Sequence, residues 1–166
     1  MKAIVIGGGI GGTCAAIALK RFGIETAVYE AVKEIKPVGA AISIWPNGVK
    51  CLNYLGMKDA LRALGGQMRF MAYKEYQQGQ TMTRFSMDPL IQSVGEQPYP
   101  VARAELQSML LDTYGRDEVQ FGKRVTHVEE SADSVTAWFD DGTSATGDLL
   151  IAADGTHSVI RQHVLG

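Results

Sequence analysis

The sequence is poor in the features that mark several large classes of protein. It has only two cysteines in 166 residues, Cys14 and Cys51, and their separation fits neither a Cys-x-x-Cys motif nor a zinc site. The three histidines show no metal-ligand pattern either, and we interpret them as structural or surface residues. No apolar run approaches the roughly 18 residues of a membrane span. The start, MKAIVIGG, becomes glycine-rich too soon for a signal peptide.

An excess of charge of one sign is also missing, because positive and negative side chains are nearly equal in number. The formal net charge of −2 gives no electrostatic footprint for nucleic acid or for an anionic membrane. We therefore expect a cytoplasmic protein with reduced thiols, with no nucleic-acid partner, no membrane partner and no bound metal. The oligomeric state is not predicted by any pattern in the sequence.

Glycine, by contrast, is abundant. The 19 glycines among 166 residues make up about 11%, compared with an average near 7%. Five of them fall between Gly7 and Gly12. Such an excess is typical of an α/β protein with many tight connections. The length suffices for one domain with a substantial core and barely for two, so we expect a single domain over residues 1–166.

The first thirty residues predict a strand, a helix and a second strand. Lys2–Ile6 is apolar and rich in β-branched residues, as in a buried strand. A helix is expected over residues 10–22, with Gly23 ending it. A second apolar strand follows over residues 26–29 and leads directly to Glu30. This is a β–α–β unit, whose two strands are parallel.

The remainder of the chain predicts a mixture of short strands and helices. An irregular stretch begins at Lys36 and precedes a helix over 47–55. Strands are expected at 68–76 and 81–85, a loop at 86–100, an amphipathic helix at Arg103–Tyr114, and strands at 119–121, 124–128, 135–139 and 143–146. The last three strands form an antiparallel meander. A buried strand and a sharp Asp154-Gly155 turn then lead into a final helix.

The glycine cluster contains the pattern Gly7-x-Gly9-x-x-Gly12, placed between the first strand and the first helix. In a dinucleotide-binding loop the first glycine makes the turn, the second admits a pyrophosphate, and the third allows the helix to pack closely. The start of the helix adds unpaired N–H groups for the phosphates. Glu30, eighteen residues after Gly12, is placed to accept hydrogen bonds from ribose hydroxyls. These residues do not distinguish FAD from NAD, and Glu30 could also be a solvated carboxylate.

Three ordered motifs resemble the flavoprotein monooxygenases of the aromatic-hydroxylase type. The first is the glycine pattern extended to Gly23 and followed by Glu30. The second, LLIAADGTHSVIR, carries Asp154 and Gly155, and the third, PVARAELQSML, carries Arg103. The segments YEAVKEIKPVGAAISIWPNGVKCL, MAY, VQFGKRVT and GDLLIAADG resemble the FAD-dependent urate hydroxylases within this family more than generic aromatic-ring hydroxylases.

The resemblance implies a fold, a reaction and a set of cofactor contacts. The fold would be α/β: a Rossmann-like FAD-binding domain with a parallel βαβ sheet and an antiparallel meander, lacking the C-terminal substrate half of the considerably longer family members. The reaction would be hydroxylation of urate to 5-hydroxyisourate with NADH and O2. Besides Gly7, Gly9 and Gly12, the implied FAD contacts are Gly11, Glu30, Ala31, Ser43, Arg103, Val125 and Asp154. No catalytic residue is assigned, because the family's substrate-positioning residues belong to the missing half.

Alternatives remain open for individual residues and for the whole chain. Ser43 could be an ordinary strand serine, Arg103 a solvated cation at a helix start, and Asp154 a helix cap. The substrate could be a salicylate-like aromatic, or the chain could be a dinucleotide-binding module without catalysis. An NAD-dependent dehydrogenase is disfavoured, because no catalytic constellation follows the βαβ unit.

Overall fold

The computed structural model describes residues 1–35 and 40–166, so the first residues of the predicted irregular stretch lie outside the described residues. In chain order the elements are β1 (Lys2–Ile6), α1 (Ile10–Arg21), β2 (Glu25–Glu30), β3 (Ala41–Ile44), α2 (Pro46–Tyr54), α3 (Lys58–Leu64), β4 (Phe70–Lys74), β5 (Thr81–Ser86), α4 (Asp88–Val94), β6 (Tyr99–Ala102), α5 (Arg103–Tyr114), a 3₁₀ turn (Arg116–Glu118), β7 (Val119–Phe121), β8 (Val125–Glu130), β9 (Val135–Phe139), β10 (Ser144–Gly147), β11 (Leu149–Ala152) and α6 (Val159–Leu165). They form two compact units, Met1–Pro37 with Gln107–Gly166, and Val38–Leu106.

A four-stranded parallel sheet is the centre of the first unit. Its strand order is β11-β1-β2-β7, and each neighbouring pair is parallel. The apolar β1 lies between two neighbours, which explains why its sequence shows no alternation: Ala3, Ile4, Val5 and Ile6 are all buried. Helix α1 connects β1 to β2 and packs on the sheet. The predicted βαβ unit and the α/β fold class are therefore confirmed.

An antiparallel sheet of β8, β9 and β10 contributes the other half of the core in this unit. Ile4 and Ile6 of β1 pack in one cluster with Val128, Ala137 and Phe139 of the meander. Tyr29 stacks on Phe139 with ring centroids 4.9 Å apart, a pairing typically worth about 0.5–1.5 kcal/mol beyond its buried area. The predicted meander is confirmed, and it packs against the strands that carry the glycine loop and Glu30.

The second unit contains two antiparallel strand pairs and short helices. Strands β3 and β6 pair with Ser43 opposite Pro100, and β4 pairs with β5 around a turn that contains Gly79. Its buried side chains include Val49 and Leu52 of α2, Leu61 of α3, and Met57 in the connection between the two helices. Helix α5 begins in this unit and continues into the first.

The predicted loop over 86–100 is wrong, because it contains α4 and β6. Helix α4 has Pro89 in its first turn and ends at Gly95 with a left-handed backbone (φ 80°), both of which are ordinary helix-end signals. Proline and glycine therefore mark the ends of an element here and not a loop. Strand β3 and helix α3 were also not predicted. Within the described residues, no helix combines the length and the apolar character needed to cross a membrane.

Candidate functional site

A cleft of about 220 Å³ lies at the carboxyl ends of the parallel strands in the first unit. In open α/β sheets this edge is where ligands bind. Six of the predicted site residues line the cleft: Gly7, Gly9, Glu30, Ala31, Val125 and Asp154. These residues are far apart in the chain, from Gly7 to Asp154, and the fold brings them to one place.

The glycine loop has the geometry that the spacing predicts. Gly7 has a φ of 109°, in the region that only glycine adopts readily, and a Cβ there would overlap the carbonyl oxygen of Ala153. A Cβ at Gly12 would overlap the carbonyl oxygen of Gly7, so this glycine permits close packing of α1. At Gly9 and Gly11, by contrast, a Cβ would meet nothing within 4 Å. The loop is thus tightly packed on one side and has open space on the other, as a phosphate cradle requires.

Glu30 faces the glycine loop. Its Oε2 accepts a hydrogen bond from the Gly8 N–H at 2.7 Å, and its Oε1 accepts one from the Val32 N–H at 3.0 Å. A carboxylate has about four lone-pair sites, so acceptor capacity remains for sugar hydroxyls. Glu30 is therefore more than a solvated carboxylate, because both of its oxygens accept backbone N–H groups. Its predicted contact with a ribose stays a prediction.

Asp154 borders the cleft from the turn after β11 and also holds the start of α6. Its Oδ1 accepts from the Ser158 hydroxyl at 2.6 Å, and its Oδ2 accepts from the Val159 N–H at 2.9 Å. Ser158 in turn accepts from the Arg161 N–H and caps the helix. The capping alternative for Asp154 is therefore observed, and its predicted contact with the pyrophosphate region stays a prediction.

The glycine loop and the Asp-Gly turn are held together through β1 and β11. Ile6 is the register partner of Ala152, and the Ala153 N–H donates to the Ile6 carbonyl at 2.8 Å. The turn that follows β11 therefore lies directly beside the turn that follows β1. Two motifs that are nearly 150 residues apart in sequence become one site.

Two basic residues at the cleft were not predicted. Lys123 and Arg124 line it beside Val125, and the Lys123 N–H donates to the Glu30 carbonyl at 2.8 Å. Because β7 lies beside β2, the residues that follow it come to the same edge of the sheet as Glu30. His157, interpreted from sequence as structural or on the surface, also lines the cleft. The only signal for Lys123 and Arg124 is the pairing of β7 with β2. That pairing is hard to predict from sequence because β7 is only three residues long.

The Lys123 side chain forms a compact cluster with the turn between β9 and β10. Its Nζ donates to Asp141 Oδ2 at 2.6 Å and to Thr143 Oγ1 at 2.8 Å. The hydrogen bond from Lys123, together with those from Thr143, holds the pKa of Asp141 well below its ordinary value. The Lys123 charge is thereby fixed at one side of the cleft.

Ser43 and Arg103 both belong to the second unit. Ser43 lies on β3, and Arg103 begins α5 directly after β6, the strand that pairs with β3. The Arg103 N–H donates to the Ala40 carbonyl at 2.8 Å. Their predicted contacts with FAD stay predictions.

A larger hollow of about 460 Å³ in the first unit has different chemistry. It is bordered by three carboxylates, Glu130, Asp133 and Asp148, and by none of the predicted cofactor residues. Such a lining repels a diphosphate, so the smaller cleft is the candidate site. Among residues 1–35 and 40–166, no group of three or more His, Cys, Asp or Glu side chains is placed to hold a metal ion.

A parallel sheet whose glycine loop, acidic strand end and Asp-Gly turn share one cleft defines a nucleotide-binding α/β protein. The model of the FAD binding domain family matches residues 1–165. The chain belongs to this family. This confirms the predicted Rossmann-like FAD-binding fold.

The individual relatives are FAD-dependent urate hydroxylases and other monooxygenases. The chain is 65% identical over all 166 residues to an FAD-dependent urate hydroxylase of Klebsiella pneumoniae and 52% identical to one of Mycolicibacterium vanbaalenii. It is 34% identical to a 3-amino-4-hydroxybenzoate 2-monooxygenase of Streptomyces cremeus. The predicted resemblance to the urate hydroxylases is confirmed. The chain spans 42–43% of the length of these relatives.

A solved structure agrees with these matches. The crystal structure of Klebsiella pneumoniae HpxO complexed with FAD and uric acid superposes with a TM-score of 0.92 at 62% identity. The match covers 98% of this chain and 41% of that one.

Proposed function

We propose that this chain is the FAD-binding part of a monooxygenase that hydroxylates urate to 5-hydroxyisourate, with NADH and O2 as co-substrates. The observation that carries the proposal is the meeting of the glycine loop, Glu30 and the Asp154 turn in one cleft. The choice of urate is supported by the fall in identity from 52–65% with urate hydroxylases to 31–36% with the hydroxybenzoate and hydroxynicotinate monooxygenases. This gap favours urate over a salicylate-like aromatic.

The residues at the cleft fit FAD. Open space at Gly9 and Gly11 leaves room for a pyrophosphate against the backbone, and the start of α1 directs N–H groups to that space. Glu30 would accept from the ribose, with Ala31 and the backbone of Val125 beside it. We propose Ser43 and Arg103 as further contacts, and Asp154 as the residue that orders the turn at the pyrophosphate.

Bound FAD would supply the transfer of reducing equivalents from NADH and the activation of O2. The chain's own residues bind and orient it. Glu30 and the glycine loop fix the adenosine half, while the Asp154 turn and Val159, the first residue of α6, form one wall of the cleft. We place no catalytic acid or base in these 166 residues. We treat residues 1–166 as one FAD-binding domain built from the two units, in a protein that works in the cytoplasm without nucleic-acid or membrane partners.

The direct test is FAD binding by the purified chain. We expect a yellow protein that releases FAD on denaturation and quenches flavin fluorescence on titration. NADH in place of FAD should not saturate the site at comparable concentration. A colourless protein with no flavin quenching, or one that prefers NADH, would contradict the proposal. A further experiment adds the C-terminal part of a urate hydroxylase relative as a separate polypeptide. If the chain then binds FAD but no urate is turned over, a non-catalytic binding module is favoured.

A further inference from the structure

The carbonyl of Gly8 receives hydrogen bonds from two buried side chains. The Thr13 hydroxyl donates to it at 3.2 Å, and the Gln107 side-chain amide donates to it at 3.0 Å. Thr13 is completely buried and Gln107 is 7% exposed. Buried polar groups stabilise a fold only when they are paired, so these two donors are held to their acceptor.

The N–H of Gly8 is held as well, by Glu30 at 2.7 Å. Both peptide groups that flank the Gly8 α-carbon are therefore fixed by side chains: the one before it by Glu30, and the one after it by Thr13 and Gln107. Glycine samples backbone conformations on both sides of φ = 0, so without such contacts these peptide groups could rotate.

Fixing the Gly8 carbonyl also fixes the N–H of Gly9. The two groups belong to one planar trans peptide, in which C=O and N–H point in opposite directions. The carbonyl is directed to the buried side chains, so the Gly9 N–H is directed away from them. Gly9 lines the cleft and has open space around its α-carbon.

We propose that Gln107, with Thr13, is a positioning residue that keeps the Gly8 carbonyl out of the cleft and directs the Gly9 N–H at the pyrophosphate of the bound dinucleotide. This inference rests on the proposed function, since it assumes that a dinucleotide binds here. If the peptide turned over, a carbonyl oxygen would replace an N–H donor facing the anion. Attraction would become repulsion without any change in the residues that line the cleft.

The test compares Gln107→Met, which keeps the length of the side chain and removes its donors, with the exposed Gln162→Met as a matched control. We expect Gln107→Met to weaken binding of FAD and of ADP about five- to tenfold, the effect of one lost hydrogen bond. Adenosine, which lacks phosphates, should bind both proteins equally. Gln162→Met should leave all three affinities unchanged.

A second measurement reads the peptide directly in the unliganded chain. In the wild type the Gly8 carbonyl carbon should show the NMR shift of a doubly hydrogen-bonded group, and Gln107→Met and Thr13→Val should each move it. Their effects on FAD affinity should be less than additive, because both donors act on one acceptor. An unchanged Gly8 shift together with unchanged FAD affinity in Gln107→Met would overturn the proposal. So would equal losses for FAD and adenosine, which indicate a general structural role.

Dinucleotide binding at the cleft and the orientation of the Gly8 peptide by Gln107 are tested by separate measurements. If the wild-type chain bound neither FAD nor ADP, the proposed function would fall, and with it the role toward a pyrophosphate. The Gly8 shift would still report whether Gln107 sets the orientation of the peptide.

Discussion

At the scale of single residues, Glu30 joins two parts of the cleft. Its carboxylate holds the Gly8 N–H while it lies at the end of β2, where a ribose would be placed. One side chain thereby shapes the glycine loop, which we propose receives the phosphates, and in that proposal it also offers acceptors to the sugar. Loss of this carboxylate should affect both ends of the adenosine diphosphate.

We therefore expect Glu30→Ala to weaken FAD binding roughly tenfold to a hundredfold, the effect of losing one or two hydrogen bonds to a charged acceptor. Isothermal titration of the purified chain with FAD measures this. Glu25→Ala is the matched control, because Glu25 is an exposed carboxylate at the opposite end of the same strand. Equal affinities for the wild type and Glu30→Ala would mean that the ribose binds elsewhere.

The sequence identified Glu30 but not Gln107, for a physical reason. A carboxylate that follows a buried strand and a glycine loop has its position set by about thirty local residues. Gln107 acts through a hydrogen bond to a residue 99 positions away, and its helical neighbours look the same whether or not that bond forms. Lys123 and Arg124 were missed similarly, because their place depends on the pairing of β7 with β2.

At the scale of elements, the packing of α1 on the glycine loop depends on the absence of one side chain. A Cβ at Gly12 would overlap the Gly7 carbonyl, whereas a Cβ at Gly11, in the same turn of helix, would meet nothing within 4 Å. A side chain is therefore excluded at Gly12 and sterically tolerated at the neighbouring Gly11.

Gly12→Ala should destabilise the chain by about 1–3 kcal/mol or more, because the overlap is with backbone that cannot simply rotate away. Gly11→Ala should leave stability unchanged or raise it by up to about 1 kcal/mol, because alanine favours the helix. Urea denaturation of the two variants measures both changes. A Gly12→Ala protein as stable as the wild type would contradict the packing described here. FAD titration of Gly11→Ala then tests the predicted cofactor contact without a folding defect.

The turn between β9 and β10 gives a prediction about pH. Lys123 and Thr143 lower the pKa of Asp141 in the folded protein below its value in the unfolded chain. The stabilisation from this carboxylate is therefore present above about pH 4, near the unfolded pKa, and is lost as the pH falls further toward the folded pKa. Lys123→Met should raise the Asp141 pKa toward the ordinary carboxyl value, which a carboxyl-carbon NMR titration measures. The exposed Lys50→Met is the control, and an unshifted Asp141 titration in Lys123→Met would contradict the contact.

Elements with strong local signals were predicted well, and those defined by distant pairing were not. β1, α1, β2 and the meander follow from buried runs, a glycine cap and a tight Asp-Gly turn. β3 is four residues long in a stretch rich in glycine and proline, and its partner β6 lies more than fifty residues later. Neither strand carries a period long enough to indicate sheet structure, so only the fold reveals them.

At the scale of the whole molecule, the chain corresponds to about two fifths of its monooxygenase relatives. Flavin-dependent hydroxylation requires a site from which water is excluded. We expect the 166-residue chain with FAD, NADH, urate and air to form no stoichiometric 5-hydroxyisourate. Any NADH that it oxidises should appear as hydrogen peroxide.

Urate absorbance and a peroxide assay, followed together, measure this. Adding the remaining part of the Klebsiella pneumoniae relative as a separate polypeptide should couple NADH oxidation to urate loss. Full coupling by the 166-residue chain alone would contradict the expectation. A variant with Glu30→Ala serves as the flavin-poor control.

Because β1 pairs with β11, the cleft cannot form until most of this segment has been synthesised. The cleft is assembled from the first, second, seventh and last strands, so a ribosome must translate beyond Val159 before all of its walls exist. A nascent chain arrested before Leu149 would have its glycine loop but no Ala153 beside Gly7. Flavin capture therefore requires that β11 and the turn after it have left the ribosome, and chains arrested before Leu149 should carry no flavin.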